Sequence, residues 1–319
     1  MDTVELVREL SLALRERVRP MLGSHAGRAH ASEGAGGDVT FAIDEEAESF
    51  LESFLAEHAP GVAFYSEDRG LVTPAGGEAT EVLVVDPIDG TRPAMAGLES
   101  CCVSVAAAPL REGVRMGDVR VGCVVEIPSG VTFLAERGRG LVEAPPVRLS
   151  ANERLDRMFW TYGFRGRPAR PTVEGIGDLI DGSSVGGATF ELGSATFDMT
   201  RVITGQLDAY VEPGPLLVDE VPGMRAEFER VGGGAVLNNS PYDLAAAALC
   251  ATEAGAIVTD ARGRSLDDRP LLGSGAEFQM SVLTSANAAL HRGIVAAIAA
   301  GVARVSSGRV NPGHQPPLA

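Results

Sequence analysis

The chain has 319 residues, 45% hydrophobic and 22% charged, which suits a globular protein with one large domain or two modest ones. A formal charge of −16 disfavours nucleic-acid backbones and anionic membranes as partners. No run of about 18 apolar residues reads as a membrane span, the start Met1-Asp2-Thr3-Val4-Glu5 lacks a secretory pattern, and Cys101, Cys102, Cys123 and Cys250 show neither metal nor disulfide spacing, so a cytoplasmic location is expected.

Val4, Leu6, Val7, Leu10, Leu12, Leu14 and Val18 recur at helical spacing over residues 3–22, and this helix ends near Pro20. Residues 25–37, rich in Gly, Ala and His, read as a loop. A second helix is expected over 43–58, burying Ala47, Phe50, Leu51, Phe54 and Leu55. A short strand over 62–65 runs straight into Ser66-Glu67-Asp68. Val82-Leu83-Val84-Val85 form a buried strand, and 101–108, 118–126 and 131–135 continue it as an antiparallel meander.

Around Ala144-Pro145-Pro146 the pattern changes. The expected organisation is an N-terminal α+β subdomain over 1–145, a C-terminal α/β subdomain over 146–304 and a disordered tail over 305–319. In the second part, 157–164 reads as a strand followed by a Gly/Arg/Pro loop through Pro171. Residues 193–205 read as a helix, 208–211 as a strand and 213–241 as irregular. Helices over 242–254 and 288–300 flank strands at 256–259 and 280–284.

The chemistry centres on Asp86-Pro87-Ile88-Asp89-Gly90-Thr91, where the buried strand stops. Pro87 has no N–H and a fixed φ, so the backbone leaves the sheet there. Asp86 and Asp89 then converge with the Ile88 carbonyl between them, an oxygen set suited to Mg²⁺. Alone, such a pair is an ordinary acidic turn. However, Asp38 and Asp44 stand at the start of the second helix, Glu67 at a strand end and Asp243 at another helix start. Acids collected at element ends suit a multi-metal site better than unrelated caps.

These segments resemble the inositol monophosphatase superfamily, the Mg²⁺-dependent, lithium-sensitive phosphatases that include fructose-1,6-bisphosphatases and nucleotide bisphosphate phosphatases. The resemblance rests on Asp44, Ser66-Glu67-Asp68, Asp86 to Thr91, Tyr242-Asp243-Leu244-Ala245-Ala246 and Glu253-Ala254-Gly255, and covers about residues 35–300. It implies a layered α-β-α-β-α sandwich, α+β in its first half and α/β in its second, and commonly a homodimer. It implies two or three Mg²⁺ ions per site, one on Glu67, Asp86 and the Ile88 carbonyl, another on Asp86, Asp89 and Asp243. Thr91 and Asp44 match the water-activating pair. Gly90, Thr91, Gly193-Ser194-Ala195 and Glu212 match substrate-side positions. The implied activity is hydrolysis of a small polyol or sugar phosphate such as inositol 1-phosphate. Fructose 1,6-bisphosphate is the rival, because Arg92, Arg165, Arg167 and Arg170 offer cationic partners. 3′-Phosphoadenosine 5′-phosphate fits less well with only 5% aromatic residues to stack a base. A regulatory protein that had lost the chemistry would lack a metal carboxylate, and none is missing.

Three departures from the family pattern stand out. Asp68 replaces the second Glu of the acidic pair. Arg92-Pro93-Ala94 replaces the residues usual after Gly-Thr, so Arg92 is either a clamp for a second anionic group or a solvated loop residue. The last metal acid is usually close in sequence to Glu212, which makes Asp219 a rival to Asp243. Asp243 is preferred because Leu244-Ala245-Ala246 follows it, and residues 213–241 are then an insertion expected to act as a lid or substrate-selecting loop.

Overall fold

A computed structural model describes residues 1–24, 30–33, 39–74 and 78–308. In chain order the elements are α1 (Thr3–Val18), β1 (His30–Glu33), β2 (Val39–Phe41), α2 (Ala42–His58), β3 (Ala63–Ser66), β4 (Gly70–Val72), β5 (Glu81–Asp89), α3 (Thr91–Ala96), β6 (Cys102–Pro109), β7 (Val121–Glu126), β8 (Thr132–Glu136) and β9 (Gly140–Glu143). There follow β10 (Phe159–Tyr162), α4 (Ala169–Ser183), β11 (Ala188–Phe190), α5 (Ala195–Thr204), β12 (Ala209–Glu212), α6 (Gly214–Glu220), α7 (Met224–Val231), α8 (Pro241–Glu253), β13 (Ile257–Thr259), β14 (Val282–Ser285) and α9 (Ala288–Ser306).

Two sheets carry the fold. The first runs β4-β3-β5-β6-β7-β8-β9, antiparallel except that β3 lies parallel to β5. The second runs β11-β10-β12-β14-β13, with β10 parallel to both its neighbours. Side chains alternate across both, as the two-residue period of a strand requires. In β5, Leu83 and Val85 pack with Leu10, Leu14 and Leu51 of α1 and α2, while Val82 and Val84 pack with Leu244 and Ala247 of α8. In β12, Tyr210 faces that same inner core, whereas Ala209 and Val211 face Ile176, Leu179, Ile294 and Ile298 of α4 and α9. The order of layers is therefore helices α1 and α2, the first sheet, helices α5 and α8, the second sheet, then α4, α6 and α9. This is the expected α-β-α-β-α sandwich.

Several local expectations change. The segment 213–241 contains two helices, α6 and α7, and Leu216, Leu217, Met224 and Phe228 are buried core residues beside α4 and α9. It is packed structure rather than irregular chain, and its Asn239 reaches the cavity that holds the acids. The loop expected through Pro171 already belongs to α4 from Ala169, and β10 is narrower than the strand expected over 157–164. Helix α9 continues through Val305 and Ser306, so the expected tail starts too early; residues 309–319 lie outside the described residues, as do 25–29 and 34–38, which hold most of the expected loop and Asp38. At 19 residues and a mean hydropathy of 1.4, α9 is also long and apolar enough to cross a membrane by length and composition. Its apolar face, Leu290, Ile294, Ile298 and Val302, is buried in the core shared with α4.

Candidate active site

Strand β5 delivers the first two acids. Its pairing with β6 slips between Asp86 and Asp89, where Pro87 has no N–H for the ladder, so both aspartates turn the same way instead of to opposite faces. Asp86 Oδ1 accepts from the Ile88 N–H at 2.9 Å, which tightens the bulge. Gly90 follows at φ 88, and a Cβ there would lie 2.6 Å from the Ser100 carbonyl, so only glycine fits. α3, six residues long, then starts at Thr91.

Helices α5 and α8 deliver the rest. Asp89 Oδ2 accepts from Ser194 Oγ at 2.7 Å, from the Thr196 N–H at 2.6 Å and from the Thr196 hydroxyl, which fixes the rotation of the carboxylate. Ser194 also caps α5 through the Phe197 N–H. Asp243 sits in the first turn of α8, and its Oδ2 accepts from the Ser240 N–H at 2.6 Å. Among the described residues, Asp86, Asp89 and Asp243 form a group whose ligand oxygens all lie within 4.8 Å of one another.

Burial and mutual repulsion raise the pKa values of these acids. Asp86 is driven well above the usual carboxylate range by desolvation, then by Asp89, Glu67 and Asp243. Asp243 is pushed up to about 7 by burial and then by Asp89. Asp89 also rises through burial, and the donors on Thr196 and Ser194 hold it back. Three carboxylates this close and this dry need a cation or protons between them. An all-oxygen set suits a hard divalent ion.

Glu67, Asp68, the Ile88 segment, Arg92, Gly193 and Ala195 line the same cavity. Asp44, in the first turn of α2, reaches back to the Phe41 N–H with Oδ2 at 2.9 Å, and its Oδ1 stands 3.1 Å from the Thr91 hydroxyl. That hydroxyl is equally 3.1 Å from the Ile88 carbonyl. Arg92 lies over the Phe41 ring, 5.5 Å from its centroid, while lining the cavity. Asp219, by contrast, is exposed on α6 and paired with Arg262 at 3.5 Å, away from the other acids.

Glu212 departs from expectation. It is fully buried, does not line the cavity, and pairs with Arg167 at 2.5 Å while accepting from the Gly214 N–H at 2.7 Å. Arg167, not Glu212, faces the cavity, together with Arg165, Glu191, Asp198, Tyr210 and Asn239. The sequence reading assigned no role to Glu191, Asp198 or Asn239. Asp198, five residues past Gly193 on α5, is buried and its pKa is raised by desolvation, then by Asp89 and Glu191. Arg170 is exposed on α4 and is not part of the lining.

Residues 3–302 match the model of the inositol monophosphatase family. The chain belongs to that family. Members are phosphatases, hydrolases of phosphoric monoesters, and the chain is an enzyme of this class acting on small phosphate esters. The family uses divalent metals, and the three-aspartate cluster could bind one. It is 27% identical over 287 residues to a fructose-1,6-bisphosphatase/inositol-1-monophosphatase of Methanothermobacter thermautotrophicus, covering 87% of this chain and 90% of the relative. It is 30% identical over 246 residues to an inositol-1-monophosphatase of Mycobacterium leprae, covering 74% and 73%. An IMPase structure from Thermotoga maritima superposes with a TM-score of 0.67 at 21% identity, over 96% of this chain and 100% of that one.

Proposed function

We propose that this inositol monophosphatase family member is a Mg²⁺-dependent phosphomonoesterase that hydrolyses a small polyol or sugar phosphate by direct attack of water. The observation that carries the reading is the convergence of Asp86, Asp89 and Asp243 within 4.8 Å, in a cavity also lined by Glu67 and by the Asp44–Thr91 pair. Glu67, Asp86 and the Ile88 carbonyl would hold one ion, and Asp86, Asp89 and Asp243 a second, with Asp86 shared. When bound, such ions make water more acidic and neutralise charge on the leaving oxygen.

The chain's own residues do the rest. Thr91 Oγ1 accepts a proton from the attacking water and passes its own to Asp44 Oδ1, 3.1 Å away. Asp44 is held for this by the Phe41 N–H on its other oxygen. Ser194 and Thr196 keep Asp89 from rotating. Gly90, Gly193 and Ala195 line the space beside Thr91 in which substrate would sit. Arg92 faces the same space and would bind its anionic group.

A second substrate reading, a sugar bisphosphate such as fructose 1,6-bisphosphate, is favoured by Arg165 and Arg167 in the lining and by the dual name of the Methanothermobacter relative. The acidic overall charge and four free, buried cysteines support a cytoplasmic enzyme, which we take to be a homodimer like others of its family. The test is phosphate release from inositol 1-phosphate, fructose 1,6-bisphosphate and 3′-phosphoadenosine 5′-phosphate, with and without Mg²⁺ and with Li⁺. Mg²⁺-dependent, Li⁺-inhibited turnover of either of the first two is expected. Inertness toward all three would overturn the reading.

A further inference from the structure

Glu45, Glu48 and Glu52 follow one another at spacings of three and four, so they share one face of α2. All three reach the turn that follows β3. Arg69 binds Glu45 at 2.7 Å and Glu52 at 2.8 Å from the outside. Glu48, only 1% exposed, lies beneath the turn: its Oε2 accepts from Ser66 Oγ at 2.8 Å and its Oε1 from the Asp68 N–H at 3.4 Å. The residue bracketed by those two bonds is Glu67. One turn earlier on the same helix, Asp44 meets Thr91.

A buried carboxylate is costly unless its oxygens are satisfied. Glu48 meets that need with donors from a single turn, so helix and turn are locked in one register. The Ser66 hydroxyl offsets part of the burial that pushes the Glu48 pKa up to about 7. Exposed pairs such as Arg69 with Glu52 contribute little by themselves; the sheet pairing of Ser66 with Val85 and Gly70 holds one end of the turn, and the buried Glu48 bonds tie that end to α2.

We propose that Glu48 is a positioning residue for the metal-facing side of the site: by fixing Ser66 and Asp68 on either side of Glu67, it sets where the Glu67 carboxylate stands relative to Asp86, and it ties that position to Asp44 through one helix. The inference rests on the reading of Glu67 as a metal ligand. Glu48→Leu removes both acceptor oxygens; Glu48→Gln would not, because its carboxamide oxygen can accept from the Asp68 N–H while its NH₂ donates to the Ser66 hydroxyl oxygen. Contacts made directly to a metal ligand change affinity by about 10- to 100-fold when lost, and Glu48 acts one step further out, through the residues flanking Glu67.

The experiment measures Mn²⁺ binding by electron paramagnetic resonance, Mg²⁺ competition, and amide exchange at Asp68, in the full chain. Glu48→Leu is expected to weaken Mn²⁺ by about tenfold, the lower end of the range for direct ligand contacts, to speed exchange at Asp68, and to lower kcat more than it changes KM. Ser66→Ala, which removes one of the two bonds, is expected to shift both readouts the same way by less; it carries the test if Glu48→Leu does not fold. Glu52→Gln, on the exposed side of the stripe, is expected to leave Mn²⁺ affinity unchanged. Wild-type affinity and exchange in folded Glu48→Leu or Ser66→Ala, beside a loss of affinity in Glu67→Gln, would overturn the inference alone. Undiminished affinity in Glu67→Gln would remove the ligand reading and the inference with it.

Discussion

Arg167 and Glu212 form an ion pair at 2.5 Å in which neither side chain has appreciable solvent exposure. Burial raises the Glu212 pKa, and the Arg167 charge opposes that rise. Arg167 lines the cavity and Glu212 does not, so the carboxylate is engaged by an internal partner and the cation is the member of the pair presented to the cavity. Removing one member of such a pair strands the other. Arg167→Ala should therefore cost about 3–5 kcal/mol of stability, read from denaturant midpoints, and should raise KM. Arg167→Met with Glu212→Leu should regain most of the stability but not the KM. An unchanged KM in the folded double variant would mean that Arg167 does not touch substrate.

The choice between the two candidate terminal acids is directly testable. Asp243 stands within 4.8 Å of Asp86 and Asp89, while Asp219 is exposed beside Arg262. Asp243→Asn should lower Mg²⁺-dependent turnover by more than about 100-fold, beyond what loss of a supporting contact produces. Asp219→Asn should stay near wild type. The opposite pattern would reassign the site.

In the proposed mechanism Thr91 and Asp44 handle one proton, so their losses should not add. Thr91→Val and Asp44→Asn are each expected to cut kcat by about 10²- to 10⁴-fold while metal titrations stay close to wild type. The double variant should be no slower than the worse single one. A multiplicative loss would separate the two residues into independent roles.

The raised acid at Asp243 gives the metal-free protein a particular pH dependence. Its folded pKa of about 7 lies above the ordinary 3.8. Between those values the folded chain holds a proton that the unfolded chain has released, so stability must fall as pH rises. The contribution is complete below about 4 and is lost on passing through about 7. Thermal melts of chelated protein should drop across that window, and Mg²⁺ should reverse the drop at its upper end. A chelated melt that rises steadily from pH 4 to 7 would contradict this.

Much of the site could be read directly from residue order, because its acids stand at strand and helix ends. The structure adds that two of them have a second job there. Asp44 and Asp243 each close the first turn of a helix and also line the cavity, Asp44 with a different oxygen for each task. What stayed hidden depends on packing between distant segments. The expected loop stops at Pro171 and the sequence reading assigns no element to residues 172–192, where Gly175, Gly177 and Gly182 interrupt the helical signal of α4. It is helical because it packs closely on α9; a Cβ on Gly301 would lie 1.9 Å from the Gly175 carbonyl oxygen. Glu212 matched a substrate position by motif, and nothing in its neighbours announced that Arg167, 45 positions earlier, would take its charge. Glu45, Glu48 and Glu52 belong to no motif; what engages them is the turn after β3, which packs against their face of α2.

The middle layer constrains how a substrate can enter. Helices α5 and α8 contact strands of both sheets, and the same two helices hold Asp89 and carry Asp243. Swinging one sheet away from the other would strip both helices from the inner core and pull the acids apart, so a hinge between the halves is not an available door. Among the described residues, the exposed rim of the mouth carries Arg165 and Glu191, of opposite charge, so an entering anion meets an attractive and a repulsive group side by side.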